Sequence, residues 1–233
     1  MPELEPFDTA ETDRLLSTTK AVRRRLDLER PVPRDVVVEC IRLARYAPNA
    51  SNGQDWKWVV VDDPDLRKAV GEQYRKVTVP NVSQMLDMKV AQGDERGARI
   101  SRSVLYLAEH MHEVPVLVIP CFDLSGAERR YEELLGPLHH AAPEPQMTPA
   151  MYASIYPAVW SFQLALRSRG LGSVFTTLHL PHADRAAELL GIPAGVTQAA
   201  LIPVAYFTGD DFKPAARRPM EEVTYWNGWK QTR

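Results

Sequence analysis

The longest apolar stretch of the chain, Val114 to Phe122, is short and is interrupted by prolines at positions 115 and 120. A helix that crosses a membrane needs about 20 consecutive, predominantly apolar residues. We therefore predict no transmembrane helix and no membrane partner, and we interpret Val114 to Phe122 as a buried strand. The first residues are acidic and lack the basic-then-apolar order of a secretory signal, so we expect a cytoplasmic protein.

The composition is typical of a globular protein. Of the 233 residues, 45% are hydrophobic and 25% are charged, which provides enough apolar material for a large core. The length is compatible with a single domain over residues 1–233. A formal net charge of −2 gives no general attraction for nucleic acid, so we predict no nucleic-acid partner.

The cysteines and histidines argue against several kinds of chemistry. Cys40 and Cys121 lie within apolar runs and are expected to be buried free thiols. The His-x-His pair at 110–112 cannot point in one direction on a helix, and His139-His140 has no partner at ligand spacing, so we predict no metal. The G-x-S-x-G motif of covalent hydrolases is absent. The chemistry is therefore expected to come from a bound cofactor.

Short apolar segments alternate with helical patterns, which by itself indicates an α/β protein. The charged stretch from Pro80 to Ala108 has poor amphipathic order and is interpreted as a mobile helical cover. Residues 123–150 are proline-rich and are interpreted as an irregular excursion of the kind that forms lids. The other predicted elements are helices from Glu11 to near Arg25, from Asp35, from Asp63-Pro64, from Met151 to Arg169 ending at Gly170-Leu171-Gly172, and from Ala183 to Leu190, and strands from Trp56 to Val61 and from Gln198 to Phe207.

Two groups of cations lie far apart in the sequence. Lys20, Arg23, Arg24 and Arg25 come together at the predicted end of the first helix. They could bind a phosphate, or they could form a solvated basic face at a helix C-terminus. The pair Arg217-Arg218 in the C-terminal tail leaves the same two alternatives.

The polar stretch from Asn49 to Asp55 is a further candidate site. It follows Ala47-Pro48 and is rich in residues that tolerate turns and offer side-chain hydrogen bonds. The alternative interpretation is a solvated turn.

Taken in order, these segments resemble the FMN-dependent nitroreductase family. The resemblance extends over nearly the whole chain, except for roughly residues 80–150. It rests on Thr19–Arg23, Pro31–Pro33, Ala47–Trp56 running into Val59–Val61, Leu164–Ser173, Phe175–Thr177, Arg217–Val223 and Tyr225–Trp229.

The resemblance implies an α+β fold, which replaces the α/β interpretation drawn from the pattern alone. It implies a mixed or antiparallel sheet flanked by helices, in an intertwined obligate homodimer with two FMN molecules at the subunit interface. Residues 80–150 would be a variable lid, and residues 209–233 an arm that crosses to the partner.

The resemblance also implies roles for individual residues. Lys20 and one of Arg217 and Arg218 would bind the FMN phosphate, and Arg23 would lie near the pyrimidine edge of the flavin. A cation at that edge favours the negatively charged reduced flavin and so tunes its potential. The contacts to the ribityl chain and the ring would come from Pro48, Asn49, Ser51, Asn52 and Gln54, and Thr176, Thr177 and Leu178 would line the ring near its N5 atom.

The sequence departs from the family pattern at three places. Thr19-Lys20-Ala21 replaces the usual Arg-Arg-Ser, so Arg24 is a candidate for the missing phosphate contact. Gln54-Asp55-Trp56 replaces Gln-Pro-Trp. Trp160-Ser161 replaces the Gln-Asn of the long core helix, which puts flavin hydrogen bonding from that helix in doubt.

The implied activity is that of an FMN-dependent oxidoreductase. NADH or NADPH would deliver hydride to flavin N5 and leave, and an electron-poor small molecule such as a nitroaromatic or a quinone would then take the electrons. No catalytic side chain is assigned. The alternatives are a flavin-cleaving or reductively dehalogenating relative, with Tyr131, Glu132 and Glu133 as candidate substrate contacts, and a non-catalytic FMN-binding or storage protein.

Overall fold

The computed structural model describes residues 6–127, 129 and 147–231, with the backbone alone for 147–150. The contacts divide the chain into two compact units. One unit contains the residues up to Lys20 and those from Asp210 onward, and the other is Ala21–Gly209.

Within the residues that the structure describes, six α-helices and five strands have defined bounds. The helices are α1 (Thr9–Thr18), α2 (Arg34–Ala44), α3 (Pro64–Ala91), α4 (Glu95–His110), α5 (Met147–Arg167) and α6 (Ala183–Leu190). The strands are β1 (Trp56–Val61), β2 (Val116–Asp123), β3 (Leu171–Ser173), β4 (Val196–Gln198) and β5 (Ile202–Tyr206). Helix α1 belongs to the terminal unit, and all the other elements in this set belong to Ala21–Gly209.

The five strands form one sheet in the order β1-β2-β5-β3, with β4 also paired to β2. Every strand pair is antiparallel; in the register, Val118 lies opposite both Val60 and Ile202. Parallel strands joined by helices are the mark of an α/β fold. The α/β interpretation is therefore wrong, and the α+β fold implied by the family resemblance is confirmed.

Strand β2 is the centre of the core, and it is buried from Val116 to Phe122. Because side chains alternate along a strand, its two faces meet different helices. Val118 packs in the cluster formed with α2 and α5, whose buried residues include Cys40 and Phe162. On the other face, Ile119 lines a cavity together with residues of α3.

Helix α1 ends at Thr18, well before the predicted end near Arg25. The residues that follow pair with strands instead of continuing the helix. Val22 N donates to Ser173 O at 2.9 Å, and Asp27 N donates to Tyr206 O at 2.7 Å. Distant strand edges thus satisfy backbone groups that a longer helix would otherwise have satisfied.

Helix α3 continues through Pro80 to Ala91, so the stretch from Pro80 to Ala108 is helical, as predicted, but it is divided between two long helices that pack against each other. Buried side chains at Tyr74, Thr78 and Val82 recur every four residues and fix α3 against its neighbours. The last turns of α3 leave Met85 and Met88 exposed, which explains the poor amphipathic order of the sequence.

The glycines after α5 have two different roles. Gly170 has a φ of +75° and ends the helical region, as predicted. Gly172 lies in β3, where a Cβ atom would come within 3.1 Å of the Val22 side chain. Glycine therefore allows close packing at this position and does not form a helix cap. The predicted strand from Gln198 to Phe207 is two strands, β4 and β5.

The two thiols agree with the sequence prediction. Cys40 and Cys121 are buried and free, and burial raises the pKa of Cys40 to about 11 and that of Cys121 to about 12. In the part of the chain that the structure describes, no helix is both long and apolar enough to cross a membrane. The same residues contain no group of three or more His, Cys, Asp or Glu side chains placed to hold a metal ion.

Candidate functional site

Arg23 is a half-buried cation on the segment that pairs with β3. Its Nη1 atom lies 3.4 Å from Ser103 Oγ on α4, to which it donates. Burial lowers the pKa of Arg23, and the nearby Tyr74 phenol opposes that shift. No carboxylate pairs with this guanidinium among the described residues. A charge held in this way is unfavourable until an opposite charge reaches it, so the position suits an anionic ligand.

A buried hydroxyl pair lies next to Arg23. Tyr74 Oη and Thr176 Oγ1 are 2.9 Å apart, and both residues are almost fully buried. Thr176 is fixed further by reciprocal backbone hydrogen bonds with Leu201. Burial raises the pKa of Tyr74, so the phenol stays neutral and can donate. Arg23 and Thr176, which are far apart in sequence, are thus connected through Tyr74.

His179 is a second buried polar residue, close in sequence to Thr176. His179 is only 6% exposed, and neither of its ring nitrogens has a hydrogen-bond partner. Burial lowers the pKa of His179 to about 4, a shift that the neighbouring Gln198 opposes. The imidazole is therefore neutral at pH 7. We call Arg23, Tyr74, Thr176 and His179 the buried cluster.

The polar loop Asn49–Gln54 is held by its own side chains. Asn49 Oδ1 accepts a hydrogen bond from Gln54 N at 2.9 Å. Ala50 N donates to Ser154 Oγ on α5 at 3.1 Å, which attaches the loop to the core helix.

The backbone of this loop is strained. Ser51, Asn52 and Gln54 have φ values of 51°, 50° and 55°, in the left-handed region that side chains other than Asn and Gly rarely adopt. Each such residue costs of order 1–3 kcal/mol, and strain of this kind concentrates at binding sites. We call residues 49–54 the strained loop.

The strained loop borders an open hollow of about 620 Å³. The residues that line the hollow are Arg42, Arg45, Tyr46, Ala47, Pro48, Asn49, Asn52 and Gln54. Glu39 pairs with Arg42 at 2.7 Å, whereas the exposed Arg45 side chain has no partner in the described part of the chain. The hollow can therefore accept polar or negatively charged groups. Ser51 does not line it.

The other predicted contacts in the Ala21–Gly209 unit vary in exposure. Arg24 is exposed and lies over the Tyr106 ring, 5.7 Å from its centroid. Thr177 is exposed and Leu178 is half-buried, so both are accessible to a ligand. Trp160 on α5 is 41% exposed.

Lys20, Arg217 and Arg218 belong to the terminal unit. Lys20 Nζ donates to Lys213 O at 3.2 Å and lies 5.2 Å from the centroid of the Phe212 ring. Arg217 and Arg218 are exposed. The convergence of these cations on one phosphate stays a prediction. The candidate substrate contacts Tyr131, Glu132 and Glu133, and the pair at 139–140, lie outside the described residues.

Sequence reasoning missed Tyr74, Ser103 and His179 as neighbours of the site. Tyr74 recurs with apolar residues at helical spacing, which is the ordinary pattern of a core residue. Local sequence carries no signal for its contact with Thr176, because the two lie on separate elements.

Comparisons with known proteins agree with this architecture. The chain matches the Nitroreductase family over residues 17–206. It is 24% identical over 212 residues to an NADH dehydrogenase of Thermus thermophilus, covering 84% of this chain and 87% of that protein. It is 25% identical over 211 residues to an iodotyrosine deiodinase of Thermotoga neapolitana, covering 89% and 93%. The chain spans only 54% of the iodotyrosine deiodinase of Drosophila melanogaster and 60% of that of Rattus norvegicus.

The fold is also found in solved structures. A structure of oxidized iodotyrosine deiodinase bound to FMN and 3-iodo-L-tyrosine superposes with a TM-score of 0.65 at 21% identity, covering 92% of this chain and 98% of that one. With the family match covering most of its length, this chain belongs to the nitroreductase family, whose members are flavin oxidoreductases.

Proposed function

We propose that this protein binds FMN and uses it to transfer hydride from NADH or NADPH to an electron-poor small molecule. The observation that carries the proposal is Arg23, a half-buried cation without a carboxylate partner among the described residues. An electron-rich flavin edge would supply the negative charge that this position needs. The strained loop supports the same conclusion, because it borders a hollow lined by amide side chains.

The residues around Arg23 fit such a cofactor. FMN, when bound, supplies the redox chemistry by accepting hydride and passing it on. Arg23 would hold a positive charge at the ring edge, with Ser103 fixing its direction. Thr177 and Leu178 are accessible for contact with the ring, and Tyr74 holds the neighbouring Thr176 in place. Donor and acceptor would occupy the same face in turn.

We further propose that the FMN phosphate is bound by cations from distant parts of the sequence. A flavin phosphate carries nearly two negative charges, and charge-assisted hydrogen bonds to several cations would neutralise it. The candidates are Lys20, Arg24 and one of Arg217 and Arg218.

We also propose that the protein is a homodimer whose C-terminal arm packs on the partner. The arm leaves large apolar side chains in water, including Met220 at 66% exposure and Trp229 at 80%. Aromatic surface of this kind is typical of interfaces. Because Arg217 and Arg218 precede these residues, docking of the arm and binding of FMN should be coupled.

The test of the main proposal begins with the colour of the purified protein. We expect a yellow sample that releases FMN, identified by mass spectrometry, and that is bleached anaerobically by NADH or NADPH. Adding a nitroaromatic or a quinone should restore the colour. Release of FAD, or of no flavin, would contradict the cofactor assignment. A bound flavin that neither nicotinamide bleaches would instead favour the alternatives, which are a flavin-cleaving or reductively dehalogenating relative and a storage protein.

Truncation after Gly209 tests the arm. We expect the shortened chain to lose both dimerisation and FMN, because each buried aromatic side chain contributes on the order of 2 kcal/mol. Sedimentation and flavin absorbance measure the two losses. A truncated protein that remains a dimer with FMN bound would show that the arm is a surface appendage.

Reductive dehalogenation is a second candidate function. The similarity to the Thermotoga neapolitana iodotyrosine deiodinase over 89% of this chain favours it. Reduced protein should then release iodide from 3-iodotyrosine faster than it reduces a nitroaromatic at the same concentration. The opposite order of rates would favour the first candidate.

A further inference from the structure

A small cavity in the Ala21–Gly209 unit is not used by the proposed cofactor contacts. It lies among α3, α6 and the sheet. Its walls are mostly apolar, from Val70, Val77, Ile119, Ala186 and Leu201. The polar residues that line it are Gln73, Tyr74, His179, His182 and Arg185. Its volume is about 20 Å³, whereas one buried water needs about 10–15 Å³. We call it the His179 cavity; it is large enough for a single water molecule.

The imidazole of His179 lacks the hydrogen bonds that a buried polar group normally makes. Neither ring nitrogen has a protein partner, although the residue is only 6% exposed. Gln198 is close enough to oppose the lowered pKa of His179, but none of its atoms has hydrogen-bonding geometry to the ring: its Nε2 atom donates to Ala183 O at 2.7 Å, and its Oε1 atom has no partner. Buried polar side chains are bonded to protein or to water in the large majority of cases. A water molecule in the cavity would supply the hydrogen bond that His179 lacks.

The ends of the cavity differ in their surroundings. His182 and Arg185 are exposed, so one end lies near solvent. Tyr74 is at the buried end, and its Oη atom is 2.9 Å from Thr176 Oγ1. The cavity therefore lies between two exposed side chains and the buried tyrosine that carries one hydroxyl of the pair.

We propose that the His179 cavity holds a water molecule bonded to His179, and that this water completes a proton path from solvent at His182 and Arg185 to the Tyr74–Thr176 pair. The role of the path in turnover rests on the proposed function, whereas the presence of the water does not.

The chemistry of turnover needs such a path. Reduction of a quinone-type acceptor consumes two electrons and two protons. The transferred hydride supplies both electrons and one proton, and the second proton must come from solvent. Neutral imidazole can accept a proton at one nitrogen while it donates from the other, and hydroxyl groups can do the same. His179, Tyr74 and Thr176 would therefore act as positioning residues for that second proton.

The charged and titratable groups around His179 are consistent with this role. Tyr74 faces it from α3, and His182 and Arg185 line the cavity near α6. Gln198 on β4 is uncharged, and Arg23 acts on the path only through Tyr74.

Two variants and one control test the inference. His179→Phe removes both ring nitrogens, and Ala186→Val keeps His179 but fills the cavity that Ala186 lines. Leu189→Val, at an exposed position on α6, is the control. Crystal structures of the cofactor-free proteins are examined for a water bonded to His179, and stopped-flow absorbance follows flavin bleaching and acceptor reduction separately.

We expect the water in the wild type and the control but not in the two variants. Both variants should bleach normally, because hydride transfer to the flavin needs no second proton. Both should reduce a quinone on the order of 100-fold more slowly, the low end of what proton transfer contributes, with a larger solvent deuterium effect. His179→Gln, which keeps polar atoms, should recover part of the rate.

The other outcomes overturn the inference at identifiable points. If the crystal structure of the wild type shows no water bonded to His179, the proposed water is wrong. If the wild type holds the water but Ala186→Val reduces a quinone at the wild-type rate, the proton path is wrong. A wild type that is never bleached would overturn the path together with the proposed function, whereas the first two results leave that function intact.

Discussion

The buried cluster and the strained loop hold polar groups in place by opposite means. In the buried cluster, Arg23 is half-buried with one side-chain hydrogen bond, to Ser103, and His179 is buried with none. In the strained loop, Asn49 and Gln54 are bonded to each other, and the cost lies in the backbone angles. The first region is unfavourable because Arg23 lacks a carboxylate partner and His179 lacks a hydrogen bond, and the second is unfavourable because of its backbone conformation. A bound ligand can supply partners to the polar groups of the buried cluster, whereas it cannot directly change the backbone angles of the strained loop.

The largest expected effect is the pH dependence of stability from the buried cluster. The folded pKa of His179 is about 4, below its unfolded value of 6.5, so the unfolded state takes up the proton first as pH falls. Its contribution to stability should therefore be lost between pH 6.5 and 4, by on the order of 3 kcal/mol. Urea unfolding of wild type and His179→Phe at pH 7, 5 and 4 measures it. His112→Gln, at an exposed position, serves as control. If the free energy of unfolding changes with pH by the same amount in all three proteins, His179 is not the cause of the pH dependence.

The next effect separates binding from folding at Arg23. Arg23→Ala should weaken FMN binding by roughly 1.5–3 kcal/mol and make the flavin harder to reduce, because a charge-assisted contact is lost. The apoprotein should be no less stable, since a half-buried cation without a counterion is removed. Flavin titration, redox potentials and unfolding provide the three readouts.

Arg99→Ala, at an exposed position on α4, is the matched control for Arg23. Arg45 would be a poor control because it lines the hollow beside the strained loop. If the Arg23 and Arg99 variants bind FMN equally well at the same potential, the assignment of Arg23 is wrong.

A smaller effect is expected at the hydroxyl pair. Tyr74→Phe leaves Thr176 Oγ1 buried without its partner and should lower the free energy of unfolding by about 1.5 kcal/mol. The double variant Tyr74→Phe/Thr176→Val should lose less stability than the sum of the losses in the two single variants, because no buried hydroxyl is then left without a partner. Additive losses in a double-mutant cycle would mean that the two hydroxyls are not coupled.

The smallest effect concerns the strained loop. Ser51→Gly should raise the stability of the apoprotein by up to about 1 kcal/mol, because glycine adopts a φ of 51° without strain. Ala50→Gly, at a neighbouring position with negative φ, should lower stability by about 0.5–1 kcal/mol. Thermal unfolding of the two variants compares them. Losses of equal size would show that the loop stores no strain at Ser51.

Much of the fold was predictable from local pattern. Strands β1 and β2 and helix α6 follow from apolar runs and helical spacing, and the structure confirms them. The segment after Thr18 was not predictable as a strand partner, since its pairing residues lie beyond position 170. Pro80 suggested a boundary, but packing around Tyr74 and Val82 carries α3 through it.

The candidate site divides in the same way. The polar loop and Arg23 stand out by residue type, so sequence alone could propose them. The unpartnered state of His179 depends on which side chains surround it, and those come from α3, α6 and β4. Whether a histidine is buried depends on residues that are distant in the sequence, so this half of the site could be identified only from the three-dimensional structure.

The pairing of the Val22 segment with β3 and β5 has a consequence for synthesis of the chain. Leu26 bridges to Phe207, and Asp27 bonds to Tyr206, so the environment of Arg23 is assembled from residues that are synthesised far apart in time. Contacts between such distant residues form late, because a long loop must close first. A nascent chain that has not yet released residue 207 from the ribosome therefore lacks the β5 partners that fix the backbone segment carrying Arg23.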